Sequence, residues 1–125
     1  MKNTIIAQNL VDFTGFKPDV TGKFDTKGHN LIGIVDGSTG FGDPTDLIGS
    51  GGAPLDPMLG PLRHNGGPTQ THALLAGSPA IDHGDNAVVD PITGLPLTSD
   101  QRGLRRHKDG NGDGVSAVDI GAFEK

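Results

Sequence analysis

"NTIIA" (3–7) and "HNLIG" (29–33) are the two short apolar runs on which the fold turns. Each is bounded by Asn and Gly, carries β-branched Ile, and is too short for a helix, so each reads as a brief strand. They lie about 26 residues apart. That distance suits one coil of a solenoid, whose strands stack on those of the coil before, and it would set Ile5 and Ile6 beside Leu31 and Ile32. Two matched segments are one short of the three units normally wanted for a repeat.

Outward from these runs the chain is dominated by turn signals. "KPDVTGKF" (17–24) contains a Val-centred strand candidate closed by Thr-Gly, and residues 35–57 are mostly Gly, Asp, Pro and Ser, which reads as a long loop. From 56 to 85, Gly-Pro, Gly-Gly-Pro and Ser-Pro breakers forbid a helix of more than about two turns. "THALLAG" (71–77) could form one short turn, capped by Thr71 and ended by Gly77. "VVDPITGLPL" (88–97) reads as an excursion around Thr-Gly, and "DIGAFE" (119–124) as a last strand.

Composition narrows the classes. The 125 residues are enough for one modest core, and 21 Gly with 9 Pro point to a turn-rich β protein. Five Phe without Trp or Tyr offer no stacking platform, and a formal charge of -5 argues against nucleic acid. The absence of Cys removes disulfides and thiolate metal sites. "MKNTIIAQNLVDF" (1–13) is too polar for a signal peptide, and no membrane span follows. An exported protein would then carry its address on sequence beyond this chain, and residues 1–125 would be a fragment.

Taken together and in order, "NTIIA", "GHNLIG", "DPMLGPLRHNGGPTQTHALLAGSPAIDHGD", "DQRG" and "DIGAFE" resemble the C-terminal region of bacterial choice-of-anchor Q domain proteins. The resemblance implies a right-handed parallel β-helix, similar to pectin-lyase-like and polymorphic outer-membrane proteins, on a secreted or surface protein. "NTIIA" would be a rung, and residues after about 50 an irregular closing segment. Relatives often carry a Cys where this chain has Val118, and usually many preceding rungs; without them residues 3–7 present an open strand edge.

"DGNGDGVSAVDI" (109–120) carries the most specific chemistry. Asp109, Asn111 and Asp113 stand at positions 1, 3 and 5 of an EF-hand-like loop, Gly114 at 6, and the Val115 carbonyl at 7. Alternate side chains of a tight loop converge on a hard cation that takes six to eight oxygens. Position 12 is Ile120 instead of a bidentate acid, and Asp119 comes one residue early. The alternative is a metal-free turn in which these side chains bond their own backbone.

The other polar groups read as structural. His29, His64, His72, His83 and His107 lack zinc-ligand spacing, and His29 and His72 suit a neutral imidazole bonded to a backbone carbonyl. Asp82 and Asp85 have no supporting spacing for a glycosidase pair; an Asp after Ile at a turn accepts backbone N–H groups, and Arg102 suits a buried acid. "RGLRRHK" (102–108) reads as a solvated basic run.

The expectation is an all-β chain of one structural domain. Residues 1–50 would be terminal rungs of a right-handed parallel β-helix and 51–125 a loop-rich C-terminal cap, with a calcium loop over 109–119 held by Asp109, Asn111, Asp113, Val115 and Asp119. It would be a non-catalytic, extracellular or cell-surface bacterial module whose partners are upstream β-helix rungs or a second copy of itself, with carbohydrate an open possibility. Two alternatives stand beside it: an adhesion or assembly module that captures a strand on the open "NTIIA" edge, and the remnant of a polysaccharide lyase or hydrolase.

Overall fold

A computed structural model describes residues 1–9 and 18–125; part of the "KPDVTGKF" reading, at Lys17, lies outside them. Among the described residues there is no helix and the regular structure is three short parallel strands, β1 (Ile5–Ile6), β2 (Leu31–Ile32) and β3 (Leu47–Ile48). They form one sheet in the order β1-β2-β3. The chain divides into two compact units, Met1–Pro57 and Met58–Lys125.

In the first unit Ile5 pairs with Leu31 and Leu31 with Leu47, while Ile6, Ile32 and Ile48 form the second row. The expected pairing of "NTIIA" with "HNLIG" is therefore present. The third strand lies inside the stretch expected to be loop, within "DLIGS" (46–50). Between β2 and β3 the chain returns to the same place every 16 residues: Asn30 meets Asp46, and His29 donates its N–H to Thr45 Oγ1. An isolated parallel bridge between Lys23 and Thr39 keeps the same spacing, and beside it the rings of Phe24 and Phe41 lie 5.1 Å apart.

Parallel neighbours need a crossover of a dozen residues or more, and a 16-residue return is close to that minimum. Leu31 and Ile32 on the middle strand are fully buried, with Val20 nearly so. The strands stop after two residues because a glycine follows both β2 and β3. At Gly33 an added Cβ would strike Asp19 and Ala7, and at Gly49 it would strike the Gly33 carbonyl and the Leu55 amide. Leu55 donates its N–H to Gly33 O at 2.9 Å across this gap, which ties residues after β3 back into the first unit.

Beside the apolar rows runs a polar one. Asn30 is fully buried: its Oδ1 accepts from Thr4 N–H at 3.2 Å, and its Nδ2 donates to Asp46 Oδ1 at 2.7 Å and to Gly28 O at 3.1 Å. Its own N–H also donates to Asp46 Oδ1, at 3.1 Å. One carboxamide thus links the segments that lead into all three strands.

The second unit replaces parallel rungs with antiparallel bridges: Leu59 to Leu74, Arg63 to Thr71, Val89 to Pro96, Ser99 to Arg105 and Lys108 to Ala117. "THALLAG" is not helical. Thr71 and Leu74 pair across to Arg63 and Leu59, and only Ala76 and Gly77 turn, with Gly77 at φ 87°. The paired bonds between Thr71 and Arg63, with Gly60 N–H donating to Ala73 O and Leu75 N–H to Met58 O on either side of Leu74, outcompete a local turn that Pro79 would have cut short. "VVDPITGLPL" makes its expected excursion, Asp90 accepting from Gly94 N–H and donating to Leu95 O. "DIGAFE" is not a strand: positive φ at Gly121 and the bond from Asp119 N–H to Glu124 Oε2 fold it into a bend. Ala80, Ile81, Val118 and Ile120 form the small core around it.

Replacing Asn30 with Ala should destabilise the first unit by about 2–4 kcal/mol, because Thr4 N–H and an Asp46 oxygen lose a buried partner. Gln8→Ala, which removes an exposed bond to Asp56, should change stability by under about 0.5 kcal/mol. Denaturant midpoints of the two variants give the comparison, and equal midpoints would contradict the role assigned to Asn30.

Candidate functional site

The 109–114 turn is built by its own side chains. Asp109 Oδ1 accepts from Gly112 N–H at 2.6 Å and Asp113 N–H at 3.1 Å, and Oδ2 accepts from Gly114 N–H at 2.9 Å. Asn111 Oδ1 accepts from Asp113 N–H, and Asp113 Oδ1 from Val115 N–H, both at 2.8 Å. Gly112 and Gly114, at φ 86° and 89°, take the left-handed conformation that lets successive N–H groups turn inward. The loop is exposed except at Gly110, which is half-buried.

Asp109, Asn111, Asp113 and Val115 are therefore brought into one small turn. Asp119 lies buried beside the turn, its Oδ1 3.6 Å from where a Cβ on Gly110 would stand: it is 2% exposed, its Oδ1 accepting from Asp82 N–H at 2.8 Å and its Oδ2 from Lys125 N–H at 2.7 Å. Among the described residues no three His, Asp or Glu side chains are grouped as metal ligands. The donor set fits a cation in its first half, where side-chain oxygens and the Val115 carbonyl share one turn. In its second half it fits poorly, since Ile120 at position 12 is fully buried and has no oxygen on its side chain.

Asp82 is the link that the sequence reading left outside the loop. Held at φ 58°, it accepts from Gly110 N–H at 3.3 Å and Asn111 N–H at 2.9 Å. Its carboxylate thus fastens the start of the turn to "SPAID" (78–82), in keeping with an Asp that accepts backbone N–H groups. His72 and His83 each place Nδ1 2.7 Å from a backbone carbonyl, of Gly60 and Ile81.

The "RGLRRHK" run is not uniformly solvated. Arg102 and Arg106 have side chains only 8% exposed and are paired with buried acids. Arg102 lies 2.6 Å from Asp100 Oδ2, reaches the Glu124 carbonyl, and sits 3.6 Å above the Phe123 ring. Arg106 donates to Gly121 O at 2.9 Å, and its Nε lies 2.8 Å from Glu124 Oε1 without hydrogen-bond alignment. Arg102 thus meets a buried acid as expected, while Arg106 points inward where a stretch of plain basic character suggested water.

No family model, curated protein or solved structure matches the chain. The site has to be read from its own charges. Three acids, Asp100, Asp119 and Glu124, share this interior with two arginines, so full ionisation would leave an excess negative charge in a poorly solvated place. Burial, reinforced by the neighbouring Asp119 and Asp100 and only partly offset by Asp119 N–H and Arg106, pushes Glu124 up to about 7. Burial also raises Asp119. At Asp100 burial acts the same way, but the Arg102 side chain and the N–H groups of Glu124, Leu104 and Arg102 outweigh it and hold the carboxyl below its ordinary value.

A carboxyl at about 7 in the folded chain and 4.5 when unfolded binds a proton in the native state only, across that window. Its stabilisation is complete below the unfolded value and is lost as pH rises towards 7. Asp100 acts in the opposite sense, losing stabilisation as pH falls below the usual carboxylate range. Unfolding followed between pH 4.5 and 8 should therefore show stability declining with rising pH, with Glu124→Gln flattening the decline. An unchanged slope in that variant would rule out Glu124 as its source.

Proposed function

We propose that this chain is a non-catalytic structural module: the last coils and the closing segment of a right-handed parallel β-helix on a secreted or surface-exposed bacterial protein. The observation that carries the reading is the unbroken parallel register of Ile5, Leu31 and Leu47, with a 16-residue return repeated at the Lys23–Thr39 bridge and at Asn30–Asp46. The resemblance to choice-of-anchor Q domain proteins points the same way. In this reading the repetitive unit ends and an irregular one with antiparallel bridges follows, as terminal caps follow the repeats of solenoid proteins. Among the described residues β1 pairs on one side only, so its other side would receive an upstream coil or a second copy of the chain. No helix among the described residues is long and apolar enough to cross a membrane.

Calcium belongs to the proposal as a staple for the 109–119 loop. Asp109, Asn111, Asp113 and the Val115 carbonyl would hold it, and Asp119 would take part through a lone pair left on an oxygen that already accepts a backbone N–H. The ion would order a surface turn and perform no chemistry.

The coil reading has a direct test. Duplicating residues 33–48 between Ile48 and Gly49 adds one full 16-residue return, and a solenoid accommodates it: the chain should still unfold cooperatively, with a steeper denaturant dependence from the added buried surface. An insertion of half that length at the same point completes no return and carries Gly49 and Leu55 away from Ile32 O and Gly33 O, to which they donate, so it should lower the midpoint of the first unit. Loss of folding in both insertions would refute the coil.

The calcium reading is tested by thermal unfolding in chelator and in millimolar calcium, with magnesium and Asp113→Ala alongside. Binding in the millimolar range of extracellular modules corresponds to about 0.5–2 kcal/mol. A calcium-specific rise in midpoint that Asp113→Ala removes is expected, and identical midpoints would make the stretch a metal-free turn.

A further inference from the structure

The chain contains two Asn-Gly dipeptides, Asn65-Gly66 and Asn111-Gly112. Both carry the same chemical liability. The amide nitrogen of the glycine is free of side-chain shielding and lies close enough along the chain to attack the asparagine side-chain carbonyl. The fold treats the two differently.

At Asn111 the parts are tied down. The Gly112 N–H, which must lose its proton to become a nucleophile, donates to Asp109 Oδ1 at 2.6 Å, and a carboxylate so placed stabilises the protonated amide. Asn111 Oδ1 accepts from Asp113 N–H at 2.8 Å, and Nδ2 donates to Asp113 Oδ2 at 3.2 Å, so the oxygen on which negative charge would develop is met by a neutral amide and not by a cation. Negative charge from Asp109 and Asp113 on either side also opposes the anion that the attack creates.

At Asn65 the surroundings favour the attack. Gly66 is exposed, and its N–H has no partner among the described residues. Arg63 Nε donates to Asn65 Oδ1 at 3.1 Å, on the atom where negative charge develops. Nδ2, the nitrogen that must leave, is directed away from Oδ1 towards Thr71 O at 2.8 Å and Thr71 Oγ1 at 3.2 Å. The backbone carbonyl of Asn65 is held by Arg102 Nη1 at 3.4 Å, so the residue is anchored on its main-chain side as well.

We propose that Asn65-Gly66 is a built-in deamidation site, with Arg63 as its positioning residue, while Asp109 keeps the identical dipeptide at Asn111-Gly112 closed. The Gly66 amide nitrogen, its proton given to hydroxide, forms a bond to Asn65 Cγ. The negative charge on Oδ1 is met by Arg63. Collapse of this intermediate breaks the Cγ–Nδ2 bond, and the nitrogen takes a proton from water and leaves as ammonia. Water then opens the cyclic imide at either carbonyl, giving Asp or isoaspartate at position 65. Water and hydroxide are the only co-reactants, and no electrons are exchanged.

The product changes the hairpin that carries it. Asn65 Nδ2 closes the 65–71 turn against Thr71, which is 4% exposed, and a carboxylate there faces the Thr71 carbonyl with no proton to offer. Isoaspartate also lengthens the main chain next to Gly67, where an added Cβ would already press on the Arg102 backbone at 2.6 Å. Deamidation would loosen the 65–71 turn and leave the 109–114 turn untouched.

The test is peptide mapping by mass spectrometry after incubating the folded chain at mildly alkaline pH, with the chain unfolded in denaturant as reference. In the unfolded chain the two dipeptides should convert at similar rates. In the folded chain Asn65 should convert several-fold faster than Asn111, Arg63→Ala should slow Asn65, and Asp109→Ala should speed Asn111. Arg63 is exposed, and circular dichroism of its variant confirms that folding is retained. Equal rates in the folded chain, or faster conversion at Asn111, would overturn the proposal; an unchanged rate in Arg63→Ala would overturn the part assigned to Arg63.

Discussion

A buried carboxamide is costly unless all its hydrogen-bonding groups are met, and the first unit is arranged around meeting that demand at Asn30. Thr4 supplies a donor from the residue before β1 and Asp46 an acceptor from the residue before β3. Neither arrives unless the chain returns in register, so the polar row fixes the register that the apolar rows only tolerate. A slip by one residue would turn Leu31 and Ile32 to opposite faces and leave Asn30 unpaired as well. The two-residue strands are too short to specify pairing by backbone bonds alone. The side-chain row supplies the missing specificity.

The second unit solves the same problem with charge. Its core is small, and its interior is completed by Asp100 with Arg102 and by Glu124 with Arg106. Buried ion pairs gain little over apolar groups of the same shape, yet breaking one leaves a charge without compensation. Here they tie distant pieces together: Asp100 also accepts Glu124 N–H at 3.2 Å, and with one backbone bond from Gln101 N–H to Ala122 O this fastens the last residues to the 100–106 segment without a strand. This explains how "DIGAFE" can be buried at Ile120 and Glu124 without being a strand. With more acids than bases in the same interior, a proton on Glu124 is the least costly way to balance charge.

The sequence made β1 and β2 legible because both are apolar, β-branched and bounded by turn residues. β3 was missed because "DLIGS" sits among Gly, Pro and Asp and is short enough to read as loop. A signal was present: "NLIG" (30–33) and "DLIG" (46–49) differ only at their first residue and are one 16-residue return apart. It needed comparison of the second run with its successor instead of with its predecessor. The intervening segment shortens from 26 residues to 16, and that change of period hides the third unit from a fixed-period search. The turn at 109–115 and the backbone-accepting role of Asp82 were legible from local chemistry, since Asp-Gly and Asn-Gly dictate such bonds at short range. The pairing of Arg102 with a buried acid was legible as well, but the inward turn of Arg106 was not, because its acid is Glu124, 18 positions further on. A linear charge run carries no mark of which members face inward.

The loop at 109–114 shows how far an ion could add to such a scaffold. Its N–H groups already converge on Asp109 and are satisfied without a cation. The carboxylate oxygens keep further lone pairs, so a cation would bind the outward side of a turn whose folding cost is already met. That lowers the entropy lost on binding and equally limits what binding can add, because little of the loop remains to be ordered. The same closure shields Gly112 N–H, whereas the 65–71 turn is held by an amide and leaves its glycine open. Two turns with the same Asn-Gly dipeptide therefore differ in durability according to what closes them, a carboxylate in one case and a carboxamide in the other.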